Sequence, residues 1–262
     1  MMTNSEYDSK LLLGVDFDKW YGFRIKEGIY TDISPQTNSH TLICGMSGSG
    51  KSCLTVLEFA RIIVIERQCN ENSQLPAQYY FADFKMDDQF SCFRECPHYY
   101  PYDQTLIALE QVHSILHKRQ SGEDKTRFPV TLIWDEYMAN ILALESLDKK
   151  KADNIKRKTA EILMLGRSLS VRLIASMQRG DATAFTSGSR LNFGVIMIVG
   201  APIRSIYEML IPKEYIECIG DRHFGVGEGV VLLQGSQLRF IKVPMVRNLD
   251  AMQQLCVDAL SR

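Results

Sequence analysis

The feature that most constrains this chain is a glycine-rich stretch at residues 40–52, His-Thr-Leu-Ile-Cys-Gly-Met-Ser-Gly-Ser-Gly-Lys-Ser. A short apolar run at residues 41–44 precedes the glycines, and a segment with many apolar residues follows them. This pattern predicts a strand, a loop and a helix in that order. Residues 45–52 also fit G-x-x-x-x-G-K-[ST], the phosphate-binding loop, in the strand-loop-helix setting that the motif requires.

The residue types of this loop suit a bound phosphate. Glycine has no Cβ, so consecutive backbone N–H groups can turn toward the anion, and the start of the next helix adds its positive end. Lys51 is expected to reach the β- and γ-phosphates and the Ser52 hydroxyl to ligate Mg²⁺. The alternative is an ordinary Gly/Ser turn. We predict a site for ATP and Mg²⁺ made by Gly45, Met46, Ser47, Gly48, Ser49, Gly50, Lys51, Ser52 and Cys53.

A second motif lies at residues 128–137, Phe-Pro-Val-Thr-Leu-Ile-Trp-Asp-Glu-Tyr. A continuous apolar run is typical of a strand that is buried on both faces of a parallel sheet. Asp135, at the carboxyl end of this strand, is expected to hold Mg²⁺ together with Ser52. Glu136 is expected to polarise the attacking water. The alternative is a plain buried strand capped by two acids.

Predicted strands and helices alternate along most of the chain, which indicates an α/β fold with a mostly parallel central sheet flanked by helices. The unit at residues 78–118 comes between the loop strand and the acid strand, so we expect a strand between them in space, as in RecA-like P-loop (ASCE) NTPases. Residues 1–37 are predicted to form a polar tail and a small β segment, and residues 38–262 a RecA-like ATPase motor domain. The predicted strands cover residues 11–15, 21–25, 30–33, 78–83, 171–176 and 193–199, with a terminal hairpin at 230–233 and 238–243. The predicted helices cover residues 50–66, 138–147, 159–166, 203–210 and 251–260. A further helix is predicted to begin after Asp103, with that residue as its N-cap.

Composition says more about the compartment and partners of this protein than about its activity. The net charge is −1, so contact with nucleic acid would depend on local basic patches, of which residues 148–158 are one candidate; a solvated loop and helix start is the alternative there. Seven scattered cysteines favour reduced thiols and a cytoplasmic protein. The longest apolar run, residues 193–203, is too short to span a bilayer. Cys92, Cys96 and His98 are weak zinc candidates, since no second pair with matching spacing exists.

Over residues 38–245 the motifs resemble the motor domain of the FtsK/SpoIIIE/HerA group of DNA-pumping ATPases. Residues 43–52 are similar to the phosphate loop of that group, and residues 132–136 to its acid strand. Asp83-Phe84-Lys85 stands where the group has Asp-Pro-Lys. Residues 165–179 resemble its Ala-Arg-Ala-Ala-Gly-Ile-His-Leu-Ile-Leu-Ala-Thr-Gln-Arg segment, and residues 225–233 its Gly-x-Gly strand.

The resemblance implies roles for several further residues. Arg167 matches the arginine that reaches the γ-phosphate of a neighbouring subunit, and Gln178 matches the γ-phosphate sensor. Lys51, Glu136, Gln178 and Arg167 would then form the catalytic set. Arg179 and the loop up to Arg190 match the segment that faces DNA in the central pore, and Arg204 falls near a second basic position there. The alternative is that these arginines are surface ion-pair partners.

The function that the resemblance implies is ATP hydrolysis coupled to movement of DNA, expected to be double-stranded, through a homo-hexameric ring. We expect the chain to lack the membrane helices, the extra α-rich domain and the winged helix of chromosome-segregating motors. It is therefore more similar to the coupling or transfer ATPases of mobile elements, with a relaxase, a nuclease or a membrane machinery as partner and recruiter. An ATP-dependent switch or scaffold that moves no DNA, and a secretion-type ATPase, remain alternatives because the pore loop is weakly basic.

Overall fold

A computed structural model describes residues 9–34, 37–69, 77–179, 184–186 and 188–262. All ten strands within them belong to one sheet, in the order β2-β1-β10-β9-β8-β3-β7-β6-β4-β5. The strands are β1 Lys10–Asp16, β2 Gly28–Asp32, β3 His40–Gly45, β4 Gln78–Asp83, β5 Tyr99–Pro101, β6 Val130–Asp135, β7 Val171–Met177, β8 Phe193–Val199, β9 Glu228–Leu233 and β10 Gln237–Lys242. The helices are α1 Phe17–Phe23, α2 Lys51–Cys69, α3 Thr105–Gln120, α4 Tyr137–Leu147, α5 Lys149–Leu169, α6 Arg204–Leu210, α7 Lys213–Ile219 and α8 Leu249–Leu260.

The sheet has a parallel part and an antiparallel part. Strands β8, β3, β7, β6, β4 and β5 pair in parallel, and β9, β10, β1 and β2 extend the sheet in antiparallel fashion. The predicted α/β fold with a mostly parallel sheet is confirmed. The parallel part matters most here, because the carboxyl ends of its strands lie along one edge, where open α/β sheets bind ligands.

Helices cover both faces of the sheet, and alternate side chains of each strand enter two separate cores. On one face, α3 and α5 pack over Leu132 and Trp134 of β6. On the other, α2 and α8 pack together over Ile133 of the same strand. Asp135 follows the alternation of Ile133 and therefore lies on the α2 face, which is the face where the phosphate loop begins its helix.

The amino-terminal segment differs from the expectation in one place. Strands β1 and β2 form as predicted, and β1 joins the main sheet by pairing with β10. The strand predicted at residues 21–25 is wrong: this segment is the end of α1 followed by a loop. Asp16 explains the helix, because its side chain accepts a hydrogen bond from Lys19 N at 3.0 Å and so caps the first turn. Phe17 then packs edge-on against Phe224.

Three other expectations need correction. A strand does separate β3 from β6, but that strand is β7. Strand β4, from the unit at residues 78–118, lies on the other side of β6. The cap of α3 is Gln104, not Asp103. The charged segment 148–158 is mostly helical, since Asp148 caps α5 by accepting from Lys151 N at 3.0 Å. Strand β5 and helix α7 were not predicted. The polar tail 1–8 and parts of the loops at 70–76 and 180–190 lie outside the described residues.

Candidate active site

The phosphate loop connects β3 to α2 and is supported by the turn before β9. Gly48 and Gly50 have φ of +79° and +88°, a region that side chains with a Cβ rarely adopt. A Cβ on Gly50 would also lie 3.2 Å from Val226 Cγ1. Gly227 N donates a hydrogen bond to Ser49 O at 2.9 Å, so the turn fixes the back of the loop. Met46 and Ser47 are exposed at its tip, as is Cys53 on α2.

Three predicted catalytic side chains meet at the carboxyl edge of the sheet. Lys51 Nζ lies 3.0 Å from Glu136 Oε1 and 3.6 Å from Asp135 Oδ1. Gln178 Nε2 donates to the same Glu136 oxygen at 3.0 Å. The topology explains this meeting, because β3, β7 and β6 are neighbours in the sheet and Lys51, Gln178 and Glu136 each follow one of them. The structure therefore brings together residues that are far apart in the sequence.

Asp135 is a buried carboxylate with one oxygen left over. Its Oδ1 accepts a hydrogen bond from the Ser176 hydroxyl, whereas Oδ2 has no hydrogen-bond partner among the described residues. Burial raises the pKa of Asp135, and the positive charge of Lys51 opposes that shift. A buried unpaired carboxylate oxygen is costly unless a cation is bound. The two predicted ligands, Asp135 and the Ser52 hydroxyl, would offer oxygen atoms only, which fits Mg²⁺.

Glu136 adopts a backbone conformation that residues other than glycine rarely take. Its φ and ψ are 55° and 41°, in the left-handed region, and it stands at the N-cap of α4. The Glu136 side chain makes no cap for its own helix and turns to Lys51 and Gln178 instead. Strain of this kind persists where the surroundings hold it, and it is frequent in active sites. Here the strained backbone directs the Glu136 carboxylate toward Lys51 and Gln178.

Two residues of this edge had no predicted role. Asp83 pairs in register with Asp135, and its oxygens accept from Tyr99 Oη at 2.7 Å and Met86 N at 2.8 Å. Burial raises the pKa of Asp83 to about 6, and the charge of Asp135 adds to that rise. Ser176 accepts weakly from Glu136 N at 3.4 Å while donating to Asp135. Both are polar residues at the ends of apolar strands, a signal that the sequence does contain.

Arg167 lies at the opposite edge of the sheet from Lys51. It is exposed near the end of α5, where the neighbouring Gly166 contacts Val171, the first residue of β7. It lines a cavity of about 270 Å³ with His40 and Asn192 among others. The two edges are separated by the length of a strand, roughly 20 Å for six residues. Arg167 therefore does not reach the site of its own chain.

The three predicted DNA-contacting arginines occupy different places. Arg179 is exposed at the carboxyl edge and lines a cavity of about 370 Å³ with Glu136, Gln178, Phe84 and others. Arg204 begins α6, has 77% of its side chain exposed and pairs with Glu208 at 3.0 Å. Arg190 precedes β8 at the amino edge, half-buried, and donates to the Met209 carbonyl. The structure does not bring Arg190 and Arg179 together, and half of the loop that joins them lies outside the described residues.

The weak zinc candidates at Cys92, Cys96 and His98 do not form a group of close ligand atoms among the described residues. Cys92 is exposed, Cys96 is buried with its thiol toward the Val257 carbonyl, and the His98 ring stacks on Tyr80. Within the part of the chain that the structure describes, no helix is long and apolar enough to cross a membrane.

Comparison with known proteins identifies the fold. No family model and no curated protein matches the chain. Among solved structures, it is similar to the cytoplasmic domain of the Type VII secretion ATPase EccC of Thermomonospora curvata, at a TM-score of 0.66 and 17% identity over 99% of this chain and 32% of that one. It is equally similar to the pCW3 conjugation coupling protein TcpA with ATPγS, at a TM-score of 0.66 and 16% identity over 97% of this chain and 73% of that one. EssC (ATPases 2 and 3) of Geobacillus thermodenitrificans matches with a TM-score of 0.62 and 14% identity over 100% of this chain and 49% of that one.

Together, the sheet, the phosphate loop and the acid strand give this chain the α/β fold of these P-loop ATPases. At such low identity the likeness establishes the fold alone. The chain spans about a third of the EccC chain that it matches and about half of the EssC chain.

Proposed function

We propose that this chain is an ATP-hydrolysing motor subunit that moves DNA through the pore of a homo-hexameric ring. The observation that carries the hydrolytic part is the meeting of Lys51, Glu136 and Gln178 beside a buried Asp135. A cation, a base and a hydrogen-bond donor at the carboxyl edge of a sheet, next to a phosphate loop, are the parts that phosphoryl transfer requires.

The proposed mechanism assigns one task to each side chain. The loop N–H groups and Lys51 bind the phosphates, and Ser52 and Asp135 would hold Mg²⁺, which neutralises charge on the transferred group. Glu136 orients the attacking water and accepts its proton. In the structure Lys51 is bound to Glu136, so a γ-phosphate that draws the ammonium away would release the carboxylate for this task. Gln178 bonds to the same oxygen and would report the change to β7 and Arg179.

We assign the completion of the site to Arg167 of a neighbouring subunit. Its position at the amino edge, away from its own phosphate loop, supports a role in trans, because an arginine supplied by another chain can stabilise the charge of the transition state. Arg167→Ala is expected to lower ATP turnover by about 10³-fold. An equal mixture with Lys51→Ala subunits is expected to regain part of the activity, since some interfaces then pair an intact Arg167 with an intact Lys51.

The control for that experiment labels the Arg167→Ala and Lys51→Ala subunits with two different fluorophores, so that energy transfer in the mixture verifies that subunits exchange. Absence of any rescue in subunits that demonstrably mix would contradict a role in trans.

The DNA-moving part of the proposal is supported by Arg179, which is exposed and follows Gln178 directly in the chain. An arginine that bonds backbone phosphates gives affinity without sequence preference. We expect long double-stranded DNA to stimulate steady-state ATP turnover at low salt and at subunit concentrations that allow rings to form. Arg179→Ala is expected to remove most of the stimulation while basal turnover stays, whereas Arg127→Ala, an exposed arginine beside the amino end of β6, serves as the matched control. Turnover that DNA leaves unchanged would contradict this part.

The second candidate is a secretion-type ATPase or an ATP-dependent switch that recruits a partner without moving DNA. One observation favours it: the Arg190 guanidinium is engaged by the Met209 carbonyl, so one of the basic residues proposed for the pore is already occupied. The EccC structure with a signal sequence peptide is a further precedent among the similar folds. Hydrolysis that is indifferent to DNA but responds to a peptide would support this candidate.

A further inference from the structure

A cluster of metal-binding side chains joins two helices away from the nucleotide site. His113 and His117 lie one turn apart on α3, so both rings project from the same face of the helix. Glu161 faces them from α5. Among the described residues, these three form a group whose ligand atoms all lie within 4.8 Å of one another.

The three ligand atoms converge on one point. Glu161 Oε2 lies 2.6 Å from His113 Nε2 and 3.1 Å from His117 Nε2, and the two ring nitrogens are 3.2 Å apart. Ligands of a tetrahedral Zn²⁺, with bonds of about 2.0–2.1 Å, are separated by about 3.3 Å. Two of the three distances already match that spacing, and the third needs only a small outward shift of the carboxylate.

The surroundings hold the ligands in this arrangement. Arg157 Nη1 bonds the other carboxylate oxygen of Glu161 at 2.7 Å, which leaves Oε2 directed at the histidines. Such outer contacts orient metal ligands. Lys158, one turn along α5 from Glu161, is paired with Glu110. His117 stands in the last turn of α3, where the helix dipole favours a positive charge.

Access to solvent also suits a metal. His113 is largely buried, whereas the side chain of His117 is 52% exposed, so an ion can enter from solvent and keep a water as its fourth ligand. We propose that His113, His117 and Glu161 form a binding site for a divalent transition-metal ion, with Zn²⁺ as the occupant, that clasps α3 to α5.

The test is Zn²⁺ binding to the tag-free full chain, measured by competition with a chromophoric chelator. We expect one Zn²⁺ per chain at this site and an affinity loss of more than about tenfold in His117→Gln, which changes the exposed ligand and leaves the core intact. His113→Gln is expected to lose as much, and its fold is verified by circular dichroism. The exposed His223 supplies the matched control, His223→Gln, with unchanged affinity.

Two further readouts separate this site from the free cysteines. Co²⁺ bound by nitrogen and oxygen gives visible d–d bands without the intense near-ultraviolet charge transfer of a thiolate complex. Zn²⁺ is also expected to raise the melting temperature of the parent chain but not that of His117→Gln, because an ion that binds only the folded state stabilises it. Equal affinity in all variants, a thiolate spectrum, or no binding by the parent chain would each overturn the proposal.

Discussion

The two ends of helix α2 carry buried ion pairs that serve opposite purposes. At its start, Lys51 contacts Asp135 and Glu136, and at its far end, roughly 22 Å away by the helix rise, Glu66 pairs with Arg172 of β7. Both clusters are nearly inaccessible to solvent and both tie α2 to the sheet. They differ in how many oxygens of their carboxylates accept a hydrogen bond.

The Glu66 cluster leaves its carboxylate fully satisfied. One oxygen of Glu66 accepts from Arg172 at 2.8 Å and the other from the Tyr79 hydroxyl at 2.7 Å, while Arg172 also donates to the Ile33 carbonyl. The Lys51 cluster instead has, among the described residues, an unpartnered Asp135 oxygen, an unpartnered Ser49 hydroxyl and a strained backbone at Glu136. Arg172 Nε has no partner among the described residues, so the contrast concerns the carboxylates. A buried carboxylate with both oxygens bonded holds structure, whereas one with an unpaired oxygen is prepared for a ligand.

The largest expected effect separates the two clusters by activity. Glu136→Gln is expected to bind ATP and lose about 10²–10⁴-fold in turnover, because the amide cannot accept a proton from water. The same substitution at the other end, Glu66→Gln, is expected to leave turnover within a few-fold. Steady-state hydrolysis and nucleotide binding measured on both variants make the comparison. Normal turnover in Glu136→Gln would contradict the assignment of the base.

The second prediction tests whether the Glu66 cluster contributes to the free energy of unfolding. Arg172→Met removes one partner of a buried pair and is expected to cost about 3–5 kcal/mol, because Glu66 is left as an uncompensated charge. The double variant Arg172→Met with Glu66→Gln is expected to recover more than half of that loss, since the charge is gone and Tyr79 keeps an acceptor. Urea unfolding of both variants measures this. Equal stability of the single and double variants would show that the pair is not what holds this end of α2.

The second carboxylate of helix α2 gives the smallest effect. Glu58 is fully buried, and neither oxygen has a hydrogen-bond partner among the described residues. Burial raises its pKa from 4.5 to about 7, against the opposing charge of Arg61. The folded state therefore holds this proton more tightly than the unfolded state, and stability is lost as the pH rises between about 4.5 and 7.

The pH dependence of Glu58 can be isolated with Glu58→Gln, which does not titrate. The parent chain is expected to lose up to about 3 kcal/mol more than the variant between pH 4.5 and 7. Urea unfolding at several pH values in that window gives the difference. Parallel stability curves for the two proteins would mean that Glu58 is not a titrating group in the folded state.

Much of this fold and site follows from local patterns. The strands β3, β4, β6, β7 and β8 and the loop between β3 and α2 carry apolar runs and glycines that specify them directly. Motif and strand endings therefore predict Lys51, Asp135 and Glu136 as site residues, and the family resemblance adds Gln178. The segment after Asp16 is different, because the apolar residues at 21, 23 and 25 alternate like a strand. The cap at Asp16 and the contact of Phe17 with Phe224, a residue distant in the chain, favour the helix.

What the sequence by itself determined is the set of chemical groups and the edge at which each strand delivers them, because motif spacing and strand endings are local properties. Only the tertiary structure decided that β7 stands between β3 and β6, which places Gln178 against Glu136 and Arg172 against Glu66. It also placed Arg167 at the far edge, engaged Arg190 with Met209 and brought His113, His117 and Glu161 together. These pairings depend on which elements become neighbours, and that is fixed by packing across the whole sheet.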